Sequence, residues 1–143
     1  MGLALALSAI ALAALADGVH LGQDDLPLSA GRRRAPLPFI IGISVGTVEE
    51  AVLAEREGAD YIGVGPVYPT GTKTDAGPAV GPDLVRLIRK EVTIPIVAIG
   101  GINLLNVRDV VTAGADWIAV ISAVICSPDI EAASRKFVTL INS

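Results

Sequence analysis

The strongest constraint on this chain is an alternation. Short β-rich apolar runs at 18–22, 39–45, 61–65, 94–99 and 117–122 are separated by longer amphipathic stretches at 47–57, 82–91, 104–113 and 128–141. That order is the signature of repeated βα units feeding a parallel sheet. Three strand starts share one phrase: Ala16-Asp17-Gly18-Val19, Gly58-Ala59-Asp60-Tyr61 and Gly114-Ala115-Asp116-Trp117. Each closes a helix and opens a strand through a turn that favours Gly and Asp. Recurrence at βα intervals predicts a (β/α) barrel architecture over an open doubly wound sheet. The doubly wound rival is favoured by Gly-x-Gly-x-x-Gly after the first strand, whereas Gly63-Val64-Gly65 runs into Pro66-Val67-Tyr68. Asn103 and Asp129 stand where short polar side chains cap two of the predicted helices.

Composition narrows the function classes. Hydrophobic residues make up 52% of the 143 residues and aromatics only 3%, so the core is expected to be Ala, Val, Ile and Leu within one domain. A net charge of −4 offers no basic field for nucleic acid or anionic lipid, leaving a small molecule or another protein as partner. The single Cys126 supports neither a disulfide framework nor a soft-metal cluster, and it suits a cytoplasmic setting. At the N-terminus, residues 3–16 are apolar apart from Ser8, yet no Lys or Arg precedes them and the run is too short to span a bilayer. A buried Ala/Leu helix feeding the first strand is therefore the expectation over a signal peptide.

In a (β/α) barrel the chemistry sits where strands end. After the first strand comes Gly22-Gln23-Asp24-Asp25, whose adjacent carboxylates can hold a hard cation such as Mg²⁺ or simply open a loop; spacing alone favours the loop. Ser44 ends the second strand and can donate to an anion. The third loop, 65–75, brings three threonine hydroxyls, Gly71 and Lys73 within a few residues. It is either an anion site or a plain surface turn, and it lacks P-loop spacing. After the fourth strand, Gly100-Gly101 just before a helix lets backbone amides approach a phosphate, or simply allows tight strand-to-helix packing. Ile121 and Ser122 follow the fifth strand, and the last two loops together often form phosphate sites in such barrels. His20, the one histidine, is expected to be a structural hydrogen-bonding residue inside a buried strand. Cys126 is expected to act as a small apolar residue, and Arg32-Arg33-Arg34 as a solvated loop or helix end.

Five segments, in order and near the family's spacing, resemble thiamine phosphate synthase over residues 16–143: Ala16-Asp17-Gly18-Val19-His20-Leu21-Gly22-Gln23-Asp24-Asp25, Ile41-Gly42-Ile43-Ser44, Gly65-Pro66-Val67-Tyr68-Pro69-Thr70-Gly71-Thr72-Lys73, Ile96-Val97-Ala98-Ile99-Gly100-Gly101-Ile102 and Val120-Ile121-Ser122. The resemblance implies a TIM-barrel transferase. It joins hydroxymethylpyrimidine diphosphate to a thiazole phosphate, giving thiamine phosphate and releasing pyrophosphate, with Mg²⁺ as cofactor. It also implies Asp25 as one Mg²⁺ ligand, and Ser44 and Lys73 as contacts to the pyrimidine diphosphate. Thr70, Gly71, Thr72, Gly101, Ile121 and Ser122 would meet the thiazole phosphate.

The family's first three βα units carry a Gln-x-Arg-x-Lys-type motif and an Asn-Asp motif that are absent from residues 1–15. The expectation is thus one partial (β/α)8 domain over 1–143, N-terminally incomplete with about five of eight strands. Residues 1–16 are the apolar helix and 17–143 the matching units. Two other readings are a thiazole tautomerase of the same superfamily and a non-catalytic phosphate-binding module. Open parallel strands predict a second copy or a completing chain as partner.

Overall fold

The computed structural model describes residues 11, 13–25, 27–35, 37–72 and 77–142. Strands β1 (Gly18–Leu21), β2 (Ile40–Val45), β3 (Tyr61–Val64), β4 (Ile96–Ile99) and β5 (Trp117–Ala119) alternate with helices. The helices are α1 (Leu28–Arg34), α2 (Val48–Arg56), α3 (Gly81–Glu91), α4 (Val107–Thr112), α5 (Ser122–Ile125) and α6 (Ile130–Ile141). All five expected strands are present and somewhat shorter than expected. The fifth stops early because Ser122 already belongs to α5, a helix the pattern did not reveal.

Helix starts follow local hydrogen bonding. Thr47 Oγ1 accepts from Glu50 N at 3.1 Å while the Glu50 carboxylate takes Gly46 N at 2.7 Å, a reciprocal cap that fixes the start of α2. Asp129 caps α6 as expected, accepting from Ala132 N at 2.8 Å. Asn103 does not cap the helix before β5. Its Oδ1 accepts from Leu105 N, and Asn106 Oδ1 accepts from Asn103 N, both at 2.8 Å, so the chain turns once and α4 begins only at Val107.

The sheet is wholly parallel with strand order β1-β2-β3-β4-β5, without the order reversal that marks a doubly wound sheet. Side chains alternate across it. Leu21, Ile41, Val45, Ile62, Val64, Ile96 and Ala98 are buried together with Leu28, Ala51, Val85, Ile88, Val107, Val110 and Phe137 from the helices. Each fully buried Leu, Ile or Val contributes about 1.5–3 kcal/mol, so an aliphatic core serves a chain poor in aromatics. On the opposite face Ile40 is 46% exposed, Ile99 41% and Trp117 55%. Parallel sheets ordinarily have both faces covered.

Two of the three Gly/Asp phrases build the same clamp between neighbouring strands. Asp60 N–H donates to Ile41 O at 2.9 Å, and its Oδ2 accepts Ile41 N at 2.6 Å and the Arg32 guanidinium. Asp116 N–H donates to Ile96 O at 2.9 Å, and its Oδ2 accepts Ile96 N at 2.8 Å and Arg89 Nη1 at 2.9 Å. Arg32 lies at the end of α1, as the basic run suggested. It is only partly solvated, because it also donates to Gly58 O and Phe39 O, whereas Arg33 and Arg34 are exposed as expected.

Of the segment 1–16, expected as an apolar helix, residues 11 and 13–16 are described, and there Leu15 adopts φ +54° and is 90% exposed. This corrects the expectation of burial for 13–16, since nothing described packs over them; residues 1–10 and 12 lie outside the described set. No helix among the described residues is long and apolar enough to cross a membrane.

Candidate functional site at the strand ends

A cleft of about 450 Å³ opens at the C-terminal ends of the strands, where chain polarity aims the loops of a parallel sheet. Its floor is made by two aromatic rings lying over two glycines. In the parallel register His20 pairs with Gly42 and Gly42 with Tyr61, while Ser44 pairs with Gly63. A Cβ at Gly42 would fall 2.0 Å from the Tyr61 ring and one at Gly63 would fall 3.0 Å from the His20 ring, so only glycine leaves room for both. The rings lie 5.5 Å apart at 34°. His20 Nδ1 is 3.0 Å from Tyr61 Oη, and Nε2 is 2.9 Å from Ser44 Oγ. The Gln23 amide donates to Ser44 O. Desolvation pulls the His20 pKa below its ordinary value against the opposing charge of Asp25, and desolvation raises that of Tyr61.

His20 is thus the hydrogen-bonding residue the sequence led one to expect, but its ring is exposed to the cleft instead of enclosed. Its neighbours Tyr61 and Gln23 escaped the reading of the sequence. The available signal was two glycines, Gly42 and Gly63, inside strands where bulky aliphatics are the rule.

The opposite wall is formed by loops. Val67 N donates to Ile99 O at 2.9 Å and Tyr68 N to Gly100 O at 3.0 Å, which fastens the 65–72 loop across the end of β4. Gly100 and Gly101 have φ +96° and +64°. A Cβ on Gly101 would sit 2.6 Å from Pro69 O, so the glycine pair is required by loop-to-loop contact. The notion that these glycines open a helix is corrected, because α4 starts six residues after Gly101.

Thr70 Oγ1 accepts from Thr72 N at 3.2 Å, and the Thr72 hydroxyl reaches Ser122 Oγ at 3.4 Å. The third and fifth loops therefore meet although 50 residues separate them. Ser44, Thr70, Thr72, Gly101, Ile121 and Ser122 all line the cleft. Gly71 lies at the exposed loop tip, with open space where a Cβ would stand. Lys73 lies outside the described residues.

Asp25 is half-buried and absent from the cleft lining. One of its oxygens, Oδ2, accepts Gly22 N at 2.7 Å, and Asp25 N donates back to Gly22 O at 3.2 Å. It closes a turn, and its second oxygen carries no hydrogen bond among the described residues. That suits one carboxylate ligand of the kind Mg²⁺ takes alongside water and phosphate oxygens. Among the described residues no three His, Cys, Asp or Glu side chains cluster as a metal site. Cys126 is exposed just after α5, its N–H donating to Ser122 O at 3.1 Å.

Comparison with known proteins places this geometry. The family model described as thiamine monophosphate synthase matches residues 7–124. A thiamine-phosphate synthase of Methanospirillum hungatei is 79% identical over 131 residues, covering 92% of this chain and 64% of that protein. The counterpart from Methanocella arvoryzae is 59% identical over 133 residues, covering 93% of the chain and 63% of that protein. Among solved structures, thiamine phosphate pyrophosphorylase from Pyrococcus furiosus superposes with a TM-score of 0.84 at 45% identity, over 94% of this chain and 64% of that one. The chain thus spans a little under two thirds of the length of these relatives. It belongs to the thiamine monophosphate synthase family.

Proposed function

We propose that this chain carries the substrate-holding half of a thiamine phosphate synthase. The reaction is a transfer: the pyrimidine methylene–diphosphate bond breaks, pyrophosphate leaves with the electron pair, and the thiazole nitrogen forms the new C–N bond. The observation that carries this reading is the meeting of Thr70 and Thr72 with Gly101 and Ser122 across one cleft, in a chain 79% identical to a protein named for that product. Hydroxyls and loop amides there suit a phosphate that accepts several directional bonds. Ser44 and Lys73 would meet the departing diphosphate, and Asp25 would hold one face of a Mg²⁺ ion. Bound there, the metal would supply positive charge to the leaving diphosphate. The protein's own contribution is to hold two rings in line and to keep hydrogen-bond donors fixed where negative charge grows.

In this reading the sheet is part of a (β/α)8 barrel whose remaining units cover Ile40, Ile99 and Trp117 and bring the second metal carboxylate. The expected setting is the cytoplasm, with a lone exposed thiol and no disulfide partner for it. The uncovered sheet face also favours association with a second copy or a completing chain.

The test is formation of thiamine phosphate from both substrates with Mg²⁺. The chain alone should turn over poorly, and addition of the part of the Methanospirillum protein that this chain does not match should restore the rate. No product under either condition would contradict the proposal.

A further inference from the structure

We propose that His20 is a positioning residue whose tautomer, set by Tyr61, turns the Ser44 hydroxyl into a hydrogen-bond donor facing the cleft. The inference deepens the synthase reading, and rests on it only for the identity of the group that Ser44 meets. The geometry is a chain of three: Tyr61 Oη, His20 Nδ1 and Nε2, then Ser44 Oγ, at 3.0 and 2.9 Å. A neutral imidazole has one N–H, so two arrangements satisfy these distances. In one, the phenol donates to Nδ1, Nε2–H donates to Ser44 Oγ, and the serine proton is left to point into the cleft. In the other, Nδ1–H donates to the phenol oxygen, Nε2 consumes the serine proton, and the phenol proton is orphaned.

The first arrangement is favoured on two grounds. Tyr61 and Ser44 are both half-buried at the cleft, and the phenol is the more acidic of the two hydroxyls, so it is the better donor to Nδ1 while the serine oxygen is the better acceptor from Nε2–H. Ser44 lines the cleft, where an acceptor-rich ligand such as a diphosphate can take the freed proton. Gly42 and Gly63 hold the arrangement, since any side chain at either position would displace the ring that crosses it. Ser44 is also anchored from behind by the Gln23 amide on its carbonyl.

Because His20 is the one histidine, ¹⁵N NMR of the histidine-labelled protein reads its tautomer without ambiguity. In the ligand-free protein Nδ1 should appear unprotonated and Nε2 protonated, and Tyr61→Phe should convert this to a tautomer mixture. A protonated Nδ1, or a spectrum unchanged by Tyr61→Phe, would overturn the proposal. Binding of inorganic pyrophosphate with Mg²⁺ supplies the second readout. His20→Leu should weaken it about five- to tenfold while His20→Gln, whose amide can donate as Nε2–H does, recovers most of the loss. Equal loss in both variants would overturn the positioning role. A correct tautomer in a protein that binds no pyrophosphate would count against the synthase reading alone.

Discussion

His20 Nε2 lies 2.9 Å from Ser44 Oγ, joining the end of β1 to the end of β2 at the floor of the cleft. The contact exists because strand alternation puts both side chains on the uncovered face, and because Gly63 beside Ser44 leaves the ring its space. It makes Ser44 the best-supported polar group in the site. Ser44→Ala should weaken pyrophosphate binding about tenfold or more, the scale of a hydrogen bond to a charged ligand, with little change in the urea midpoint. Isothermal titration beside urea denaturation separates the two effects.

The same ring gives the fold a pH dependence near neutrality. The folded-state pKa of His20 lies below its ordinary 6.5, so between the two values the unfolded chain binds more protons than the native one. Stability from this group is therefore highest above about pH 6.5 and falls as pH drops through the folded pKa. Asp25, whose charge pulls the other way, and Tyr61, neutral in this range, are the groups facing the ring. Denaturant midpoints measured from about pH 8 to about pH 5.5 should decline in the native protein and decline less in His20→Gln.

Gly101 is held at φ +64° with the Pro69 and Tyr68 carbonyls where a Cβ would go. Gly101→Ala should cost about 1–3 kcal/mol from backbone strain, plus whatever the displaced 65–72 loop gives up. Gly71→Ala, with open space around it and no left-handed backbone, should be near neutral. Urea unfolding of the two variants provides the comparison.

The Asp116 clamp joins β4 to β5 through Ile96 and holds Arg89 beside it. Asp116→Ala should destabilise by about 1–3 kcal/mol, because a strand-start N–H and an arginine both lose their acceptor. Breaking the exposed Asp83–Arg86 pair with Arg86→Ala should cost under about 0.5 kcal/mol. Thermal or urea unfolding distinguishes these magnitudes readily.

Tyr68 encloses a hydroxyl that finds no partner among the described residues. Tyr68→Phe should leave stability unchanged or raise it by up to about 1 kcal/mol, since an unsatisfied polar atom disappears and the ring remains. A clear loss of stability in the urea titration would show that the hydroxyl has a partner after all.

Much of this organisation is legible in the linear sequence, for reasons that differ from residue to residue. The five strands show because they are short β-rich apolar runs set between longer amphipathic stretches, and the Gly/Asp phrase shows because it recurs. Its work as a clamp does not, since Asp60 meets an arginine 28 residues before it and Asp116 one 27 residues before it. Asn103 reads as a cap by position, yet it folds back on its own turn, a competition that local propensity cannot decide. Thr70, Thr72 and Ser122 could be named in advance as hydroxyls in the loops after strands, and Gly101 as half of a glycine pair that brings backbone close. His20 and Tyr61 could not be joined to Ser44, because their meeting depends on sheet register and on the missing side chains of Gly42 and Gly63.

The most direct measurement is an amide chemical-shift map of the protein titrated with the thiazole phosphate. Saturable shifts concentrated at Thr70, Thr72, Gly101, Ile121 and Ser122 are the predicted result. Absence of saturable shifts, or shifts centred on another surface such as the outer face of α6, would contradict a phosphate-holding cleft at the strand ends.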